Sequence, residues 1–181
     1  MVASASSLMA SPTTGMEGNV IVPTEYVELF REKSNNSDGA LVYLGHPHGA
    51  NTTRLEIGKN IKRDDCLASN QPTCSKHHTA RNDICESLIA ELNGDATISI
   101  PKDPRQVCYE GSSADKDQYC CVSWHNDVDP LYKGDLAGYA TTIVSQCTES
   151  GVSGKIYKVP VGGNPAVACT DVCLSNRGTG C

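Results

Sequence analysis

The stretch "SWHNDVDP" places an imidazole and two carboxylates close together in the chain, at His125, Asp127 and Asp129. A histidine beside a carboxylate can act as a general acid or base, or can help to hold a metal ion. A polar loop that leaves a strand and turns at an Asp-Pro pair has the same composition. Because the sequence locates no further catalytic partner, we favour the loop and keep these three residues as weak catalytic candidates.

The other histidines could also bind a metal ion, but their surroundings are more typical of loops. His46 and His48 flank Pro47, which forces a turn, and His77 and His78 are adjacent in a polar stretch. Metal sites need several ligands that converge, and neither pair has an identified third ligand. We therefore expect no bound metal.

The stretch "ESGVSGK" invites comparison with a phosphate-binding loop. The comparison fails because Glu149 occupies the position of the first glycine and Ile156 stands where Ser or Thr is required. The stretch "GGNP" is a turn and not a dinucleotide fingerprint. We expect no cofactor, and the sequence leans away from an enzyme.

The chain contains ten cysteines, all in its later part: Cys66, Cys74, Cys85, Cys108, Cys120, Cys121, Cys147, Cys169, Cys173 and Cys181. Ten cysteines in the 118 residues from position 64 onward are typical of a disulfide scaffold in an oxidising compartment. The even count predicts five disulfides but gives no map of their connectivity, and a bond between Cys66 and Cys74 across a short turn is one option. Only Cys169 and Cys173 have a spacing like that of a zinc knuckle. Full pairing would leave no thiol for nucleophilic catalysis.

The start of the cysteine-rich part coincides with a dibasic pair, Lys62-Arg63, which is followed by two aspartates. Proteolytic nicking concentrates in exposed polar loops of this kind. We therefore predict that residues 1–63 form a pro-segment without cysteine, that residues 64–181 form a cysteine-rich domain, and that a processing protease cuts between them.

Two N-glycosylation sequons, at Asn35 and Asn51, lie before the dibasic pair and fit a secreted glycoprotein. The opening "MVASASSLMASP" lacks the basic and apolar regions of a signal peptide. We expect the sequence to be a mature form, or one in which Met1 replaces the signal peptide.

Charge and hydropathy exclude two classes of partner. Residues 1–63 carry six basic and six acidic residues, whereas residues 64–181 carry nine basic and fifteen acidic residues, so the whole net charge of −6 falls on the second part. An acidic module does not neutralise phosphates, so we expect no nucleic-acid partner. No apolar run is long enough for a membrane helix, so we expect no membrane span.

Three stretches have the apolar spacing of a helix. "TEYVELFREK" would begin at Thr24, with Val27 and Phe30 on one face. "TARNDICESLIAELNG" would begin at Thr79, and "GDLAGYATTIVSQCTESG" would begin at Asp135.

Strand patterns occur in both parts, as in "ALVYLG" and "TTRLEI" before the dibasic pair and "QVCYE" and "QYCCVSWH" after it. In "QYCCVSWH" the Trp124 face is expected to be core, so Cys120 and Cys121 point opposite ways and bond to different partners. "GKIYKVPV" and "AVACTDVCLS" form a predicted hairpin, with Pro160 marking an edge strand. The order predicts an α+β fold in which two helices pack on a mainly antiparallel, disulfide-stapled sheet that can take a strand from the pro-segment.

An ordered set of motifs supports a resemblance to a known family: "CSKHHTA", "ICESLIAEL", "CCVSW", "GDL", "GVSGKIYKV" and "CLSNRGTGC". In these, residues 64–181 resemble the WD-like domain proteins that fungi secrete. The resemblance implies a fungal source, secretion and disulfides, and it carries no reaction. It implies no WD40 propeller, because one short chain lacks the repeats. Separately, residues 1–63 resemble the kexin-processed pro-segments of fungal effectors and killer toxins.

The sequence therefore favours a secreted fungal protein that acts by binding a host or competitor protein, as a virulence effector or toxin matured from a proprotein does. The alternative is a small secreted enzyme that uses His125 with Asp127 or Asp129. A flat surface at His125 favours binding, and a substrate-sized cleft or metal there favours the enzyme.

Overall fold

The computed structural model describes residues 26–47, 66, 71–112, 118–149, 151–162 and 169–176. Within them, two helices and nine strands follow one another along the chain: β1 (Val27–Lys33), β2 (Ala40–Gly45), β3 (Thr73–Cys74), α1 (Asn82–Gly94), β4 (Ser99–Ile100), β5 (Pro104–Glu110), β6 (Tyr119–Trp124), β7 (Leu131–Tyr132), α2 (Lys133–Gln146), β8 (Gly154–Pro160) and β9 (Cys169–Ser175). Seven strands form one sheet in the order β1-β2-β5-β6-β9-β8-β3, and β4 pairs with β7.

All strand pairings in the sheet are antiparallel, and the two helices pack together on one of its faces. The main core lies between the helices and the sheet, where Leu88, Leu92, Leu136 and Ile143 of the helices are fully buried. The predicted α+β class, with two helices on a mainly antiparallel and disulfide-stapled sheet, is confirmed.

The helix predicted for "TEYVELFREK" is wrong, because residues 27–33 form the edge strand β1. The helical spacing of Val27 and Phe30 is overridden by pairing with β2 and by the Phe30 ring, which stacks on Tyr43 with centroids 4.2 Å apart. Strand preference depends on such neighbours more than on local pattern. The expected cap, Thr24, lies outside the described residues.

The predicted strand "ALVYLG" is confirmed as β2, which lies between β1 and β5. Leu41 and Tyr43 are each 1% exposed and belong to the main core, while Val42 packs on the opposite face of the sheet. The sheet thus takes two strands from the region before the first cysteine. The stretch "TTRLEI" lies outside the described residues.

The two helices predicted in the cysteine-rich part are confirmed, but they begin at other residues. α1 starts after Arg81, which has no capping side-chain hydrogen bond, so Thr79 is not its cap. α2 starts directly after β7, and Asp135 lies in its first turn, where its carboxylate accepts the Tyr132 N–H at 2.9 Å. Asp135 therefore stabilises the helix start from inside the helix and not from the N-cap position.

The adjacent cysteines of β6 bond to different partners, as predicted from strand alternation. Cys120 faces the helices and bonds to Cys85 of α1, whereas Cys121 faces the other side and bonds to Cys108 of β5. Trp124 lies on the Cys120 side and is 2% exposed, which confirms that this face is core.

The option of a bond between Cys66 and Cys74 is wrong. Cys66 bonds to Cys169 at the start of β9, and Cys74 bonds to Cys147 at the end of α2. Pairing of β3 with β8 brings Cys74 to the helix end, which local spacing alone does not reveal. Cys173 is also disulfide-bonded. Cys181 lies outside the described residues.

The predicted edge character of β8 is confirmed over the half of the strand that contains Pro160. β8 pairs along its length with β9, whereas β3 reaches only Gly154 and Lys155. No other described strand pairs with the rest of that edge, which also carries an irregularity between Ile156 and Val159. Proline and irregular pairing are features that protect an exposed sheet edge.

The hairpin of β1 and β2 is attached to the helices by buried polar contacts. Lys133, with 2% of its side chain exposed, donates to Glu32 at 2.9 Å and to Asp95 at 3.0 Å. Glu91 of α1 is 3% exposed and accepts hydrogen bonds from Ser34 Oγ at 2.5 Å and Asn36 Nδ2 at 3.0 Å. These groups hold the hairpin against the helices without a disulfide.

Candidate functional site

The three residues of "SWHNDVDP" do not form one cluster of available acids and bases. His125 is exposed just after β6, and its backbone N–H donates to Thr170 Oγ1 at 3.0 Å. Asp127 forms an ion pair with Arg105. Asp129 is exposed and precedes Pro130. The Asp127 carboxylate is therefore used in holding the loop to β5.

Next to His125 lies Asp171 of β9, whose backbone carbonyl accepts the His125 N–H at 3.1 Å and which was not among the predicted site residues. Its two carboxylate oxygens accept the Lys158 N–H at 3.0 Å and pair with the Lys155 ammonium at 3.0 Å. Burial raises the pKa of the Asp171 carboxyl. The hydrogen bond from Lys158 N–H and the Lys155 ammonium more than offset that effect, and the His125 charge adds to theirs, so the pKa lies below its ordinary value. Asp171 is thus ionised at neutral pH.

A cleft of about 250 Å³ opens on the outer side of β8 and β9. One wall is the loop that carries His77 and His78, and the other carries Lys155 and Tyr157 of β8. Residues 173–175 of β9 form part of its lining. The cleft therefore brings together two histidines, a lysine and an exposed aromatic ring from separate parts of the chain.

The histidine loop is fastened at both ends. The Ser75 N–H donates to the Ser153 carbonyl at 2.9 Å, and the His78 carbonyl accepts the Asn176 N–H at 2.9 Å. His78 has a φ of 55°, in the left-handed region that non-glycine residues seldom adopt. Among the described residues, the only other non-glycine residue with positive φ is Lys158, which follows Tyr157 directly. Backbone strain of this kind concentrates at functional sites, so its presence here supports the cleft as the candidate site.

The mouth of the cleft carries a charged and aromatic pair. The Lys155 ammonium lies 4.8 Å from the centroid of the Tyr157 ring, and Tyr157 is 44% exposed. A lysine placed over a ring is attracted by the negative face of the ring. The Lys155 ammonium therefore has two neighbours, the Tyr157 ring and the Asp171 carboxylate at 3.0 Å.

Sequence reasoning missed this site because its parts come from loops and strands that are distant in the chain. A signal was present in the final hairpin, where period-two alternation places Asp171 on the face opposite Val172. Pairing Lys155 with Cys173 across β8 and β9 then brings Lys155 beside that carboxylate. The histidine loop has no comparable signal, because its position depends on the two-residue strand β3.

Within the part of the chain that the structure describes, no group of three or more His, Cys, Asp or Glu side chains is placed to hold a metal ion. His46 packs its ring edge-on against Tyr26 with centroids 4.9 Å apart, and His48 lies outside the described residues. No described helix is both long and apolar enough to cross a membrane.

Of the predicted modification and processing residues, Asn35 is described and is exposed in the turn between β1 and β2. The hydroxyl of Ser37 in the same sequon is close to Tyr109 Oη at 2.5 Å. Asn51, Lys62 and Arg63 lie outside the described residues, and glycosylation and processing stay predictions.

The fold and the disulfides define a small α+β protein whose two helices cover one face of a cross-linked antiparallel sheet. A family model described as "Fungal WD-like" matches residues 25–181, and the chain belongs to that family. The match begins well before position 64, so it includes β1 and β2. No curated protein and no solved structure matches the chain.

Proposed function

We propose that this protein is secreted by a fungus and acts by binding a protein of a host or competitor, as a virulence effector or toxin does. The observation that carries the proposal is the cleft with its exposed Tyr157 and Lys155, built on strands that disulfides tie to the rest of the fold. A rigid surface with an exposed aromatic ring beside a charge suits recognition of a partner. Disulfides persist in the extracellular environment that such a role requires.

The proposal includes maturation by a kexin-type protease after Arg63. Residues 1–63 contain no cysteine, so a cut there would leave the hairpin of β1 and β2 attached by non-covalent contacts alone. Exposure of Asn35 suits glycosylation of that hairpin. The mature protein would then consist of two chains that stay together.

The second candidate is a small secreted enzyme that uses His125 as a general base. The observation in its favour is that exposed His125 lies next to Asp171, whose carbonyl accepts the His125 N–H at 3.1 Å. Asp127, one of the two acids first considered for this role, already pairs with Arg105. The enzyme proposal thus rests on Asp171, or on exposed Asp129, as the partner of His125.

The test is capture of an extracellular target by the immobilised native protein, followed by the same measurement with two variants. Tyr157→Ala should lower the bound target at least tenfold, as loss of a central aromatic contact does. Ile98→Ala is the matched control, because Ile98 is similarly exposed, at 47% against 44%, on another part of the surface. Equal capture by both variants would contradict the cleft as the binding surface.

The enzyme candidate is tested with panels of ester, peptide and glycoside substrates. If the native protein turns over a substrate and His125→Ala does not, with unchanged thermal unfolding, the enzyme candidate replaces the binding proposal.

A further inference from the structure

We propose that the cleft recognises a small anionic group, a carboxylate or a phosphate, and holds it more tightly as the pH falls below neutral. This inference rests on the proposed binding function and specifies the chemistry that the site would take. It concerns the space between the histidine loop and β8, where the walls approach each other.

The local balance of charge differs from that of the whole molecule. The chain carries a net charge of −6, yet no described residue that lines the cleft is an acid. The basic residues that line the cleft are His77, His78 and Lys155, and the described carboxylate next to them, Asp171, pairs with Lys155. An anion that enters this space therefore meets no acidic lining residue, and it meets net positive charge once a histidine is protonated.

Two side chains that line the cleft can donate hydrogen bonds to a ligand, Ser75 and Lys155. An ammonium group has three N–H donors, and Asp171 is the described carboxylate that takes one of those of Lys155. The Ser75 hydroxyl oxygen already accepts the His77 N–H at 3.1 Å, which leaves its O–H to donate. The hydroxyls of a neutral sugar both donate and accept hydrogen bonds. Most oxygens of a carboxylate or a phosphate can only accept them. A charged donor such as Lys155 forms stronger hydrogen bonds with an anion than with a neutral acceptor.

The dependence on pH follows from the residues that surround the cleft. The loop contributes His77 and His78, which line the cleft, and His125 follows β6, the strand next to β9. Histidine is the side chain that ordinarily gains a proton between pH 8 and 5. Because the pKa of Asp171 is lowered, that carboxylate stays ionised over this range and keeps Lys155 in place.

The remaining charged neighbours do not cancel this gain. Lys76 and Glu149 form an exposed pair at 3.9 Å, beside the loop. Falling pH therefore adds positive charge at the cleft without removing the described hydrogen-bond donors.

The test is titration of the native full chain with sulfate, which stands in for a phosphate dianion and keeps its charge at both pH values, and, separately, with acetate, followed by NMR at pH 5.5 and pH 7.5 with chloride at equal ionic strength as reference. We expect saturable shifts centred on the His77 loop and β8, with binding at least threefold tighter at pH 5.5. The two probes distinguish a phosphate site from a carboxylate site.

Two variants probe the site directly. Lys155→Gln should weaken binding of the preferred probe about tenfold, the effect of losing a charge-assisted hydrogen bond. His78→Asn introduces a residue that tolerates positive φ. It should bring the affinities at pH 5.5 and pH 7.5 closer together, because one histidine that lines the cleft is lost. Lys102→Gln, the same change at an exposed lysine between β4 and β5, is the matched control and should leave binding unchanged.

Shifts no larger than those caused by chloride, or tighter binding at pH 7.5, would overturn the inference. Equal effects of Lys155→Gln and Lys102→Gln would overturn it as well. If no anion binds but Tyr157→Ala still abolishes target capture, the anion site is wrong and the binding function stands. If anions bind but no target is captured, the anion site stands and the binding function is wrong.

Discussion

At the scale of single residues, Lys133 is a buried cation that contacts two carboxylates and an aromatic ring. Its ammonium joins Glu32 of β1 to Asp95 just after α1, and it also lies 6.0 Å from the centroid of the Tyr43 ring. Removing one member of such a buried pair leaves the other charges without their partner. The lysine therefore specifies where the first hairpin lies on the helices.

Replacing Lys133 with Met tests this role. We expect Lys133→Met to lower the free energy of unfolding by about 2 kcal/mol, since Glu32 is partly exposed and can be rehydrated. Urea unfolding measured without reductant gives the value. Lys102→Met at an exposed position is the control, and a loss equal to that control would contradict the role of Lys133.

Alkaline pH should weaken the same cluster. Burial, and then the hydrogen bond to Glu32, raise the pKa of Tyr43. Burial lowers the pKa of Lys133, but its hydrogen bonds to Glu32 and Asp95 outweigh burial and raise it overall.

Each of these two groups has a higher pKa in the folded protein than in the unfolded chain. Its stabilising contribution is therefore complete below the pKa of the unfolded chain, and it is lost as the pH rises from that value through the pKa of the folded protein. Unfolding free energies should hold steady up to about pH 10 and fall above it, since the unfolded side chains titrate near there. The decline should be shallower in Tyr43→Phe. An unchanged decline in that variant would show that other groups cause it.

His125 provides the opposite case, an exposed side chain whose described contacts are made by its backbone. Its N–H donates to Thr170 Oγ1 and to the Asp171 carbonyl, and alanine keeps both bonds. We expect His125→Ala to change the free energy of unfolding by less than about 0.5 kcal/mol and to leave target binding nearly intact. Thermal unfolding and the capture assay measure both, and a selective loss of activity would promote the enzyme candidate.

At the scale of elements, the hairpin of β1 and β2 differs from the rest of the sheet in how it is attached. The four described disulfides tie together α1, α2, β3, β5, β6, β9 and Cys66. The hairpin precedes all ten cysteines. Its attachment depends on pairing of β2 with β5 and on the contacts of Lys133 and Glu91.

Cutting the native protein after Arg63 with a kexin-type protease should yield two chains that elute together in native buffer. The burial of Leu41 and Tyr43 and the six paired residues of β2 hold them. Denaturant without reductant should separate them. A variant with Lys62→Ala and Arg63→Ala is the uncut control, and separation in native buffer would contradict the predicted association.

The elements also show where local pattern suffices for prediction and where it does not. α1, α2 and β6 were predicted because their own apolar spacing agrees with their final environment. β1 was not, because the spacing of Val27 and Phe30 is helical, and pairing with β2 and stacking of Phe30 on Tyr43 override it. β3 has only two residues, so no periodicity precedes its pairing with β8.

At the scale of the whole molecule, the disulfides divide into bonds within the core and bonds at its margin. Cys85 and Cys120 are both 0% exposed, whereas Cys74 is exposed and its partner Cys147 lies at the end of α2. The class of fold could be predicted from the order of the helix and strand patterns. The different partners of Cys120 and Cys121 could be predicted because side chains alternate between the two faces of a strand. The partners of Cys66 and Cys74 could not, because they depend on pairings between distant segments.

Burial predicts the order in which these bonds open. Alkylation without reductant should label none of the nine described cysteines. Under mild reduction, Cys74 and Cys147 should be labelled before Cys85 and Cys120, since a reductant must reach the sulfur that it attacks. Mass mapping of the labelled peptides gives the order, and early labelling of Cys85 would contradict it.

The position of the hairpin in the sheet also has a consequence during synthesis on the ribosome. β2 ends at Gly45, but its partner β5 begins at Pro104 and the Lys133 ammonium comes later still. At 5–20 residues per second, the hairpin waits roughly 3–20 s for these partners to be translated. An isolated two-stranded hairpin is marginal in water. The first described element to leave the ribosome is therefore among the last to reach its place, and Leu41 and Tyr43 are open to chaperones until translation passes α2.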